Sequence, residues 1–130
     1  MRFVAAAGLA YDAYAHFDLS RVFDANAAVV SQGMLFRGEA LIAFIAAFVL
    51  LITRSRAVAA FAVLVAGSAL AAVLLYSYVD VGPLGPLPDM YEPTWYPEKT
   101  VSAVAEAVAV LAAGMLALFR TTTARRPSPR

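Results

Sequence analysis

The chain has 130 residues, of which 62% are hydrophobic and 15% are charged, with a formal net charge of +1. A soluble domain is about 45–50% apolar and about 25% charged, so this composition predicts a membrane protein. The chain contains no cysteine, which excludes structural disulfides, thiolate metal sites and dithiol redox chemistry.

The first predicted element is a helix over residues 3–19. The segment is rich in alanine but is interrupted by Asp12 and His16, so hydropathy ranks it last among four candidate membrane spans. Its start resembles a secretory signal peptide, although the apolar part before Tyr11 is short. We therefore expect a retained first helix.

Three longer apolar runs predict helices over residues 36–53, 57–79 and 101–119. Each approaches or exceeds the roughly 20 residues that cross the hydrocarbon core of a bilayer as a helix. The turn over residues 54–56 is so short that the second and third helices should be antiparallel neighbours.

The distribution of charged residues predicts an orientation. Arginines occupy the turn over residues 54–56 and the tail over 120–130, and the positive-inside rule assigns both segments to the cytoplasm. The acidic residues outside the helices all lie in the other two loops. The expected fold is an all-α integral membrane four-helix bundle over residues 1–119. Its helices run up-down-up-down in the plasma membrane, with both termini cytoplasmic, acidic loops outside and a basic cytoplasmic tail.

The two outer loops differ in composition. Residues 20–36 mix apolar and polar side chains, which favours a packed connector over a short helix across the mouth of the bundle. Residues 80–99 contain five prolines, which disfavour a regular helix and predict an extended lid. The lid carries Tyr91, Trp95 and Tyr96, aromatic residues that anchor at the membrane interface or roof a ligand site.

Ionisable residues gather in the outer half of the predicted bundle. Asp12 and His16 are four residues apart, so they share one face of the first helix. At 1.5 Å per residue, Asp12 lies roughly 10 Å below the outer boundary, and Glu106 reaches a similar depth. Glu39 lies near the outer end of the second helix. The candidate polar-core or ligand-binding residues are Asp12, His16, Glu39, Glu106, Arg37, Tyr11 and Tyr14.

Placing a charged side chain at membrane depth costs about 2.5–3.5 kcal/mol of free energy, so such residues face the interior, pair together or serve a function. Several interpretations of this polar layer are therefore open. A hydrogen-bonded network with partners such as Ser102 would hold the helices in register. A metal site would use Asp12, His16 and Glu106 as ligands for Zn, Cu, Mn or Fe. A quinone or other lipophilic ligand would exchange protons with Asp12 and His16.

Two short motifs, HFDL at the end of the first helix and SQGMLFRGEAL leading into the second, resemble small actinobacterial membrane proteins of the broad DoxX-like type. The resemblance implies a four-helix membrane fold and an association with respiratory or redox membrane systems. It implies no catalytic motif for this chain.

The absence of a complete catalytic constellation favours a non-enzymatic role. The leading hypothesis is an accessory subunit of a larger, redox-related membrane complex, whose partners are the lipid bilayer and other membrane subunits or a second copy of the chain. The alternative is a membrane-embedded redox protein that binds a quinone, a metal or a lipophilic ligand. A small-solute transporter is the third hypothesis, and it would need polar groups in the inner half. Nucleic-acid binding is not expected.

Overall fold

The computed structural model describes residues 1–119, and the predicted basic tail lies outside the described residues. Within that range the protein is all-helical. Its four helices are α1 (Arg2–Leu19), α2 (Gln32–Ile52), α3 (Arg56–Tyr78) and α4 (Pro97–Leu118). In the described part of the chain, α2, α3 and α4 are long and apolar enough to cross a membrane. The structure thus supports a membrane protein built from a helix bundle.

Two helices begin about one turn earlier than predicted. Helix α2 starts at Gln32, because the Ser31 side chain caps it by accepting a hydrogen bond from the Met34 amide at 3.0 Å. Helix α4 starts at Pro97, since proline lacks only an amide hydrogen that the first helical turn does not use. Hydropathy misses both starts, because α2 begins with Gln32 and Gly33 and α4 begins with a polar first turn.

Helix α1 lies against both α2 and α4, and α3 packs on α4. The predicted neighbours α2 and α3 also touch, but less extensively than those three pairs. The start of α3 lies beside the end of α4, where Arg56 Nε donates a hydrogen bond to the Ala117 carbonyl at 2.8 Å.

The hydrophobic core of the bundle, which we call the alanine layer, consists almost entirely of alanine. All but three of its buried residues are alanines, and the exceptions are Leu9, Leu50 and Val65. Such small side chains allow the helix backbones to approach closely. Helices α1 and α4 approach closely at Gly8, where an added Cβ would lie 2.7 Å from the Ala105 carbonyl oxygen. Helices α1 and α4 are therefore tightly packed along this layer.

Two segments cover one end of the bundle, which we call the lid end: the connector (residues 20–31) and the lid (residues 79–96). The connector forms successive turns and no helix, which agrees with the favoured interpretation. It is joined to the lid by Asn26 Nδ2, which donates to the Asp89 carbonyl at 2.8 Å, and by the Val30 amide, which donates to the Pro86 carbonyl at 3.1 Å. The lid has no helix before Pro97, as its prolines predict.

Candidate ligand and metal site

The site begins with a pair of side chains on α1. Asp12 is fully buried, and the His16 side chain is 18% exposed. His16 Nδ1 lies 2.8 Å from Asp12 Oδ1 and 3.0 Å from the Asp12 backbone carbonyl oxygen. The edge of the imidazole meets Phe36 of α2, with 5.0 Å between the ring centroids. Helical spacing and aromatic packing together fix the orientation of His16.

Helix α4 brings a second carboxylate to this pair. Glu106 is 1% exposed, and its Oε1 accepts a hydrogen bond from Ser102 Oγ at 3.2 Å. The same hydroxyl lies 3.5 Å from Asp12 Oδ1. A serine hydroxyl has one hydrogen to donate, so it serves one carboxylate at a time. The cluster therefore contains more acceptors than donors.

Three carboxylate oxygens in this region are buried and have no hydrogen-bond partner: Asp12 Oδ2, Glu39 Oε1 and Glu106 Oε2. Leaving a buried polar group unpaired costs about 1–3 kcal/mol, and more when the group is charged. These oxygens need a proton, a cation or a donor group from a ligand.

The neighbouring cations are engaged elsewhere. Arg37 forms a two-pronged ion pair with Asp24 of the connector, with N–O distances of 2.8 and 2.7 Å, and both side chains are 43% exposed. The Arg37 guanidinium holds the pKa of the Asp24 carboxyl below its usual range. Lys99 is buried and donates to the lid carbonyls of Glu92 and Thr94. Within residues 1–119, His16 is the one basic partner of the buried acids.

A cavity of about 320 Å³ lies next to the cluster, between the four helices and under the lid. Four of the polar residues that line it form what we call the floor: His16, Glu39, Ser102 and Glu106. Its walls are mostly apolar. The aromatic residues that line it are Phe23, Phe36, Tyr76 and Tyr96. Pockets for small ligands span about 300–1,000 Å³ and combine apolar walls with a few convergent polar groups, which describes this cavity.

The lid residues fall into two groups. Tyr96 lines the cavity, whereas Tyr91 and Trp95 are on the exposed side of the lid, at 40% and 37% exposure. Burial, and then the nearby carboxylates of Glu92 and Glu98, raises the pKa of the Tyr96 hydroxyl. Tyr96 is thus the lid aromatic that can contact a ligand.

The structure brings together Asp12, His16 and Glu106 and places Glu39 on the same cavity, but three other candidates lie apart. Arg37 pairs with the connector, as described above. Tyr14 is 63% exposed, and its ring contacts Tyr11 at 6.2 Å between centroids. None of these three residues lines the cavity.

Sequence reasoning gave no role to Lys99, which lines the cavity and fastens the lid. The sequence does contain a pattern that places Lys99 on the same side of its helix as the polar cluster. Lys99, Ser102 and Glu106 follow helical spacing of three and four residues, which puts them on one face of α4.

The donor set also fits a metal ion. Asp12, His16 and Glu106 each offer one ligand atom, and these atoms lie within 4.8 Å of one another. Two carboxylates and an imidazole are ligands that suit divalent transition metals. The cluster can therefore hold protons, a metal ion or the polar end of a ligand.

Comparisons of the chain with protein-family models, with curated proteins and with solved structures found no match. The resemblance to DoxX-like membrane proteins therefore stays a prediction.

Proposed function

We propose that the protein binds a lipophilic small molecule of the quinone and quinol class in the cavity beneath the lid. The observation that carries this proposal is the cavity itself, which joins apolar aromatic walls to a floor where Glu39 and Glu106 have unpartnered buried oxygens. A quinol donates hydrogen bonds through its hydroxyls, and a quinone accepts them. A carboxyl group serves both forms, because it accepts when ionised and donates when protonated.

The side chains that form the walls of the cavity also suit a quinone or quinol. Phe36, Tyr76 and Tyr96 offer aromatic faces and edges, which pack well against a planar ring. Ser68 and Ala72 of α3 line the cavity and are also exposed on the helix surface. This combination favours an entrance from the bilayer, where a lipophilic ligand is concentrated.

The proposed orientation is an up-down-up-down bundle with four spans, both termini cytoplasmic and the lid end outside. The arginines of the turn over residues 54–56 favour a cytoplasmic position under the positive-inside rule. The contact of Arg56 with Ala117 supports antiparallel α3 and α4. The polar helix α1 is then shielded by its contacts with α2 and α4.

Binding fits the chain better than catalysis or transport. Quinol oxidation releases two electrons, and a chain without cysteine has no dithiol to take them. A partner protein would have to accept the electrons, which is consistent with the predicted subunit role in a larger complex. The alanine layer between the site and the turn over residues 54–56 argues against a solute path through a single chain.

The test is native mass spectrometry and lipid-extract analysis of the full chain, purified in mild detergent. Ala72→Phe should fill the entrance and lower the bound ligand at least ten-fold. Ala71→Phe is the matched control, because Ala71 is exposed on the same helix and does not line the cavity. A folded wild-type protein without a lipophilic ligand, or equal ligand content in both variants, contradicts the proposal. Co-purification with other subunits in that case favours the accessory role alone.

A further inference from the structure

We propose that Asp12, His16 and Glu106 bind one divalent transition-metal ion at the base of the cavity. This site goes beyond the binding of a lipophilic ligand and does not depend on it. Three features of the cluster carry the inference: its geometry, its charge and its position beside the cavity.

The geometry suits a shared ion. Bonds from nitrogen and carboxylate ligands to such metals are about 2.0–2.2 Å long, so neighbouring ligand atoms around one ion lie about 3 Å apart. His16 Nδ1 and Asp12 Oδ1 are 2.8 Å apart, and the ligand atoms of all three residues lie within 4.8 Å of one another. Completing the set would take a change of side-chain rotamer at Glu106 rather than a helix movement, because α1 and α4 already pack closely at Gly8.

The charge of the cluster calls for a cation. Asp12 and Glu106 are both almost completely buried, and each has one oxygen without a partner. In the part of the chain that the structure describes, His16 is the only basic group that pairs with them. A divalent ion would neutralise both carboxylates, which a neutral ligand alone does not do.

The ligand types narrow the choice of ion. Carboxylate oxygens with one imidazole nitrogen suit Mn²⁺, Fe²⁺, Zn²⁺ or Cu²⁺, whereas Ca²⁺ and Mg²⁺ prefer oxygen ligands alone. Ser102 donates to Glu106 Oε1 and orients this carboxylate, as groups around metal ligands commonly do. Glu39 lines the same cavity with a free oxygen and is available as a fourth ligand.

The test uses the full chain in mild detergent, stripped with a chelator and titrated with Co²⁺, whose visible absorption reports its ligands. Wild type should bind one Co²⁺ per chain. Asp12→Asn and Glu106→Gln should each weaken binding at least ten-fold. The matched controls are Asp18→Asn on α1 and Glu98→Gln on α4, which alter exposed acids on the same helices and should change affinity less than two-fold.

If a variant does not fold, measurements on the wild-type protein alone still test the metal site. His16 is the only histidine, so electron paramagnetic resonance of the Cu²⁺-loaded protein should show coupling to one imidazole nitrogen. No stoichiometric metal, no imidazole coupling, or equal binding by Glu106→Gln and Glu98→Gln overturns the proposal and leaves the acids holding protons.

The two proposals can fail separately. Ala72→Phe blocks the cavity entrance without changing a metal ligand, so it should keep Co²⁺ binding within two-fold of wild type. Loss of Co²⁺ binding in folded Ala72→Phe overturns the three-residue site, because the ion would then depend on the cavity contents. If the protein binds a quinone or quinol but no metal, only the metal proposal is wrong. If it binds a metal but no lipophilic ligand, only the quinone proposal is wrong.

Discussion

The Lys99 ammonium lies over the Trp95 ring, 4.7 Å from its centroid. Lys99 is the only lysine of the chain and Trp95 the only tryptophan. The same ammonium donates to two lid carbonyls, those of Glu92 and Thr94. One side chain of α4 therefore fastens the lid over the cavity, and one fluorophore reports on it.

Replacing Lys99 with Met should loosen the lid. Hydrogen bonds to charged groups contribute about 1.5–3 kcal/mol each, and the cation–π contact adds to them. Trp95 fluorescence should shift to longer wavelength, and its quenching by acrylamide should rise at least two-fold. Lys99→Arg keeps the charge and should show a smaller change. Equal quenching of Lys99→Met and wild type would show that the lid is held by other contacts.

Gly8 should be intolerant of even one added carbon. A Cβ there would lie 2.7 Å from the Ala105 carbonyl oxygen and 3.1 Å from the Ala109 Cβ, so α1 and α4 would have to separate. We expect Gly8→Ala to destabilise the protein by about 1–3 kcal/mol, measured by thermal unfolding in detergent.

Gly114 provides the control for that experiment. It also lies inside a helix, but an added Cβ meets nothing within 4 Å. Gly114→Ala should be neutral or stabilising by up to about 1 kcal/mol, because alanine restricts the unfolded chain and favours a helix. Equal destabilisation by both substitutions would contradict the close α1–α4 packing.

The ion pair between Asp24 and Arg37 should make stability depend on pH. Because the folded-state pKa of Asp24 is lowered, the contribution is present above the unfolded value of about 4 and is lost as the pH falls through the lowered pKa. Asp24→Asn should lower the melting temperature at pH 6, with the difference shrinking in acid and in high salt. Asp18→Asn is the control, because Asp18 makes no ion pair among residues 1–119. A difference that persists in strong acid would contradict the ion-pair account.

Tyr96 should ionise at higher pH than it does in the unfolded chain. Its folded-state pKa is raised, so it favours the folded protein below the unfolded value of about 10, and this contribution is lost as the pH rises through the raised pKa. Ultraviolet titration of the six tyrosines should contain a late step that disappears in Tyr96→Phe and remains in Tyr14→Phe. A late step that survives in Tyr96→Phe would contradict its burial under the lid.

The helices and part of the site could be predicted from the sequence. Hydropathy located α2, α3 and α4, and a spacing of four residues placed Asp12 and His16 together because a single helix determines that contact. The depth argument also brought Glu106 to the level of Asp12. Each of these predictions rests on distances measured along one helix.

Contacts that depend on rotation of a helix or on the path of a loop were not predictable in this way. Arg37 is two residues from Glu39, yet it turns to the connector because Asp24 is within reach. The cavity arises where the four helices and the lid meet. No single segment of sequence encodes that space.

The alanine layer separates the site from the end of the bundle that lies opposite the lid. Alanine has no polar side-chain atom, so the layer that includes Leu9 and Leu50 offers no hydrogen-bond partners for a chain of water molecules. If the bundle has the proposed orientation, protons exchanged at His16 or Glu106 would reach the outer side of the membrane. A quinol oxidised here, with its two electrons passing to a partner protein, would release both protons outside the cell. The bundle would then contribute to a transmembrane proton gradient without containing a proton channel.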